Sequence, residues 1–176
     1  MPNQPSIKPV DRARKFLTRH QVTGCPTPLE SLAKKAGALL RFQPLDDELS
    51  GMIFIKDDVP IIGVNSLHHP NRQRFTIAHE LGHLEMHRDM ITAAVHVDKN
   101  FPGLMRDTVS ASGTELVEIQ ANQFAAELLM PRGVLEAEIA KKDFDIDDEK
   151  PIEELAKKFR VSKQALLYRI RNRNVA

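Results

Sequence analysis

The stretch RFTIAHELGHLEMH, residues 74–87, sets His79, His83 and His87 at a constant spacing of four, with Glu80 directly after the first. Neutral imidazoles bind transition metals, and a carboxylate beside them can carry a proton. Four residues is close to one helical turn, so on a helix His79 and His83 point the same way, about 6 Å apart along the axis. That pair can grip one zinc ion. Bound zinc lowers the pKa of a water molecule, and attack of that water on a carbonyl needs a base to take its proton. Glu80 is placed for that role and can return the proton to the leaving amine. The chemistry is peptide hydrolysis, with His79 and His83 as metal ligands and Glu80 as catalytic base. The plainer reading is an amphipathic helix with solvated His and Glu.

A catalytic zinc that keeps one position for water takes three protein ligands. His87 stands eight residues beyond His79, about 12 Å along the axis, too far to share an ion with that pair. The better source is a second helical pattern, TELVEIQANQFAAELLM at 114–130. Glu118 and Asn122 are four apart and share a face. Glu118 can complete a His, His, Glu set, and Asn122 can accept a hydrogen bond from the far nitrogen of a ligating histidine, fixing its tautomer. Glu115 and Glu127 are rival ligands on the same pattern. Ala121, Ala125 and Ala126 would let this helix approach the Gly82 side of the first. Hydrolysis also needs a donor for the developing oxyanion. Tyr168, the only tyrosine, is the favoured candidate, with His87, Arg72 and Arg74 as others.

Several elements must position these groups. Val10, Ala13, Phe16 and Leu17 form one helical stripe, and a second short helix follows Pro28 and stops at Gly37. The runs ALLRFQPL, SGMIFIK and VPIIGVN predict three strands of a small antiparallel sheet, with PIIGVN offering its edge to an extended substrate. The connection from Arg88 to Gly113, with a short strand at AAVHV, is long enough to gate a cleft. A short helix at RGVLEAEIAKK leads into the acidic stretch DFDIDDEKP, read as a solvated linker. The tail has the rhythm of a helix-turn-helix: Leu155, Ala156, Phe159 and Val161, then Ser162 as a cap for a helix carrying Leu166 and Ile170. Seven basic residues face two glutamates from Pro151 to Ala176. Arg160, where glycine is usual in the turn, and the late position of Ile170 argue against DNA reading, so packing or substrate docking is favoured over DNA contact. The expected division is 1–145 as catalytic domain and 146–176 as helical subdomain.

Composition bounds the rest. Lys+Arg 25 against Asp+Glu 24 excludes a globally basic nucleic-acid coat protein, and one cysteine, Cys25, permits no internal disulfide. No apolar run approaches the roughly 18 residues a spanning helix needs. A cytoplasmic protein with no membrane segment is expected.

RFTIAHELGH and EIQANQFAAELLMP, with helices and an IIGVN-bearing sheet before them, resemble the ImmA/IrrE family of metallopeptidases from about Leu29 to Pro131. The resemblance implies an α+β, zincin-like metallopeptidase fold: a small antiparallel or mixed sheet, an HExxH active-site helix and a C-terminal helix-turn-helix-like segment. It implies Zn2+ held by His79, His83 and Glu118, with Glu80 as base. It also implies a protein substrate, a helix-turn-helix repressor, cut in transcription regulation or a stress response. Gln120 stands where many relatives have a second glutamate. The alternative is a regulatory binding protein with little or no peptidase activity: a metal sensor, a toxin–antitoxin partner or a DNA-binding regulator.

Overall fold

The computed structural model describes residues 8–93, 96–99, 113–141 and 148–172. Pro9–Arg19 forms α1 and buries the expected stripe of Val10, Ala13, Phe16 and Leu17. Leu29–Lys35 forms α2, and Gly37 beyond it takes the left-handed conformation (φ 79°) that glycine adopts without steric cost. Strands β1 (Leu39–Gln43), β2 (Leu49–Lys56) and β3 (Val59–Asn65) follow. Asp57 and Asp58 both have positive φ, the pattern of a two-residue turn whose twist matches its strands, so β2 and β3 form a hairpin.

The sheet is of the mixed kind, one of the two the family resemblance implied, and not the three-stranded antiparallel sheet read from the strand runs alone. It has four strands in the order β1-β3-β2-β4, with β1 parallel to β3 and β4 (His96–Lys99) antiparallel to β2. Strand β3 is interior, so its edge is taken up by β1 and β2 and is not available to a substrate. The physical reason lies in its residues: Pro60, Ile62, Gly63, Val64 and Asn65 are all buried, as befits a strand enclosed by neighbours. Asn65 ends the strand by accepting hydrogen bonds from the Leu45 and Leu67 amides and donating to the Leu45, Asp46 and Leu49 carbonyls.

The remaining elements are α3 (Pro70–Met86), α4 (Arg88–Ala93), α5 (Gly113–Leu129), α6 (Arg132–Ile139), α7 (Glu149–Phe159) and α8 (Lys163–Arg171). Helix α3 is buried continuously from Thr76 to Leu84, because the sheet covers one side and α5 and α1 the other. Gly51 on β2 permits the first contact: a Cβ there would fall 2.3 Å from Thr76 Cγ2 and 2.8 Å from the Gly63 carbonyl oxygen. Gly82 permits the second, since its Cβ would stand 3.2 Å from Ala121 Cα. Phe16 of α1 meets Phe124 of α5 edge-on, ring centres 5.7 Å apart.

In the tail, Ser162 caps α8 as expected, its hydroxyl accepting from the Ala165 amide at 3.1 Å. Arg160 occupies the left-handed region (φ 54°, ψ 51°) between α7 and α8, at a cost of about 1 kcal/mol for a non-glycine residue. Ile152, Leu155, Phe159, Val161, Leu166 and Ile170 join the same buried cluster as Phe124, Leu128 and Leu129. Most of the acidic stretch, including the expected division at 145/146, and positions 100–112 of the long connection lie outside the described residues. Within that connection α4 and β4 form, β4 starting three residues later than the strand read at AAVHV. No helix among the described residues is long and apolar enough to cross a membrane.

Candidate metal centre

His79 and His83 sit one turn apart on α3, nearly fully buried, and Glu118 reaches them from the second turn of α5. The two imidazoles face each other through Nε2 at 2.9 Å. Glu118 closes the triangle, with Oε2 at 3.2 Å from His79 Nε2 and Oε1 at 3.4 Å from His83 Nε2. Nitrogen and oxygen ligands at about 2.0–2.2 Å from one tetrahedral zinc stand about 3.3 Å from each other. The donor set and its spacing therefore fit a zinc ion. Among the described residues, this is the group of three or more His, Cys, Asp or Glu side chains close enough to share a metal.

Hydrogen bonds prepare both rings. His79 Nδ1 donates to Asn122 Oδ1 at 2.9 Å; an amide oxygen only accepts, so the proton resides on Nδ1 and the Nε2 lone pair faces the centre. His83 is served by a residue whose part the sequence reading missed. His87 Nε2 donates to Gln120 Oε1 at 2.8 Å, which leaves His87 Nδ1 as the acceptor for His83 Nδ1 at 3.3 Å. His83 Nε2 is then also a lone pair aimed at the centre. The signal was present in the four-residue series that ends at His87, and in the placement of Gln120 two residues beyond Glu118. His87 is unsuited to ligate alongside His79, but it suits the role of holding a ligand.

Glu80 is fully buried at the contact between α3 and β2, where its Oε1 lies 3.6 Å from the point a Gly51 Cβ would occupy. Glu115 is not in the converging group. Glu127 is engaged elsewhere: buried at 1% exposure, it accepts from Arg14 Nε at 3.1 Å, from the Arg132 amide at 3.2 Å and from Arg169. Nine residues separate it from Glu118, about 180° around the helix, so angular spacing alone separates those two. Of the candidates for oxyanion donor, Arg74 is buried and donates to the Thr27 carbonyl at 2.9 Å. Burial, and then the like charge of Arg160, lower its pKa from the usual guanidinium value. Arg72 donates to Ser50 Oγ, and His87 is tied to Gln120. Tyr168 lines a cavity of about 920 Å³ together with His79, Asn122 and Arg72. His69 caps α3, its Nδ1 accepting from the Asn71 amide.

The model of one protein family, the IrrE N-terminal-like domain of peptidase M78, matches residues 30–171. The chain belongs to that family. Its match runs past Pro131 and takes in α6, α7 and all of α8. Membership brings a zincin-like fold and supports two kinds of activity, a metallopeptidase and an IrrE-like regulator. No curated protein matches the chain. Among solved structures, a Mycobacterium tuberculosis transcriptional regulator is similar over 92% of this chain, with a TM-score of 0.63 and 18% identity. This chain spans 46% of that neighbour, and the likeness is one of fold.

Proposed function

We propose that the chain is a zinc-dependent endopeptidase that cuts a specific cytoplasmic protein, a helix-turn-helix transcriptional repressor. The observation that carries the reading is the convergence of His79 Nε2, His83 Nε2 and the Glu118 carboxylate at zinc-ligand separations, with Glu80 next in the chain. When bound, zinc supplies a Lewis acid and an acidified water. His79, His83 and Glu118 hold it, and Asn122 orients His79. Glu80 accepts a proton from the attacking water on its carboxylate and gives it to the amine nitrogen as the C–N bond breaks. Peptide and water thus become a carboxylic acid and an amine. Tyr168 Oη donates a hydrogen bond to the carbonyl oxygen as it gains charge.

The test is incubation of the zinc-loaded protein with the helix-turn-helix proteins encoded beside its gene. Cleavage into two fragments is expected, with Glu80→Gln keeping zinc and losing about 10²–10⁴-fold in rate. His83→Ala should lose the metal as well. Equal cleavage by Glu80→Gln overturns the role of that glutamate. Binding of the repressor without cleavage returns the chain to the regulator reading.

A further inference from the structure

The cavity beside His79 is walled on one side by the C-terminal helix pair. Its floor is apolar, built from Phe75, Leu129, Met130, Ala156 and Val161, and its rim carries Arg72, Lys157, Arg160 and Lys163 against one carboxylate, Glu153. Glu153 is already bound by Lys163 at 2.9 Å. Lys157 and Arg160 are exposed, and neither is held by an ion pair among the described residues. Two other cations of the tail are paired within the molecule: Arg169 with Glu127, and Lys158 with Glu138 of α6. A surplus of positive charge therefore stands over an apolar pocket at the mouth of the metal centre.

From this arrangement we infer that α7 and α8 form the substrate-docking wall of the cleft, and that they select a peptide segment with bulky apolar side chains flanked by carboxylates. The inference rests on the peptidase reading for what happens after docking, but not for docking itself. Apolar side chains fill the floor, while Lys157 and Arg160 meet the acidic flank through charge-assisted hydrogen bonds. DNA fits this face poorly. A helix-turn-helix reads bases with the N-terminal residues of its second helix, which must protrude into a groove. Here Ser162, Lys163, Gln164 and Ala165 line the concave cavity instead. A pocket of about 920 Å³ is the size of a small-ligand or side-chain site, and a duplex does not enter it.

The experiment uses the full-length Glu80→Gln protein with zinc, so that binding is read without turnover. Fluorescence anisotropy is measured with a labelled hexapeptide carrying Leu-Phe between two Asp-Glu pairs, with a counterpart flanked by lysines, and with duplex DNA of the neighbouring promoter. The acidic peptide should bind in preference to the basic one and weaken as salt rises, because exposed charges are screened within about 10 Å at 0.1 M. Lys157→Gln and Arg160→Asn should each weaken it about threefold. Asparagine tolerates the left-handed backbone at position 160, and unchanged circular dichroism would show that both variants fold. Equal binding of the two peptides, no binding of either, or indifference to both charge variants overturns the proposal. So does tighter binding of the DNA that the same variants weaken. If docking follows this pattern but the wild-type protein cuts nothing, the peptidase reading fails and the docking surface stands.

Discussion

A histidine ring can present one nitrogen to a metal only if the other keeps the proton, so the partner of the far nitrogen decides whether the ring is ready. His79 Nδ1 donates to Asn122, four residues from Glu118 on α5. His83 depends on His87, and His87 on Gln120. Asn122 was readable in the sequence because it shares a helix face with Glu118 at a fixed period, so docking that brings one to His79 brings the other. Gln120, two residues from Glu118 and off that face, could not be paired with His87 without knowing how the helices dock. His87→Phe and Gln120→Leu should each lower zinc affinity about 10–100-fold, measured by competition with a fluorescent zinc indicator. Gln120→Glu should largely preserve it, since a carboxylate also accepts from His87 Nε2. Zinc affinity that is the same in Gln120→Leu as in the wild type would remove the relay from the account.

At the scale of elements, the centre exists because α3 and α5 touch. Gly82 was legible as a site of close approach, and the contact it makes with Ala121 is the one the small residues of α5 implied. Gly82→Val should push α5 away, costing about 1–3 kcal/mol by overpacking and weakening zinc binding as Glu118 is carried off. Gly133→Ala on α6, where an added Cβ meets nothing within 4 Å, is the control and should be neutral or slightly stabilising. Thermal denaturation and zinc competition on both variants give the answer. A Gly82→Val protein with wild-type metal affinity would show that Glu118 is not positioned by this contact. The helices were readable in the sequence because apolar period and caps are local signals. Strand neighbours were not: alternation says which side chains face inward, but nothing in β1 states whether it lies beside β2 or β3. The parallel β1–β3 pair and the interior place of β3 are decided by how the whole sheet packs on α3.

At the scale of the molecule, the question is whether the tail folds with the rest. Phe159, Leu166 and Ile170 share one buried cluster with Phe124 and Leu128, and Glu127 ties α1 to α8 by accepting from Arg14 and Arg169. Removing one partner of a buried ion pair costs about 3–5 kcal/mol, so α8 should not detach while the remainder stays native. The chain offers its own probe: it has no tryptophan and one tyrosine, Tyr168 on α8. Tyrosine fluorescence therefore reports on α8 alone, while far-ultraviolet circular dichroism reports on all the helices. In urea the two transitions should coincide, the mark of a single cooperative unit. Saturating zinc should move both midpoints together, by about 2.7 kcal/mol of stability at a free-metal concentration 100 times the dissociation constant. A tyrosine transition that came first and ignored zinc would instead mark α7 and α8 as an autonomous subdomain. The wall of the cleft could then open independently of the metal centre it covers.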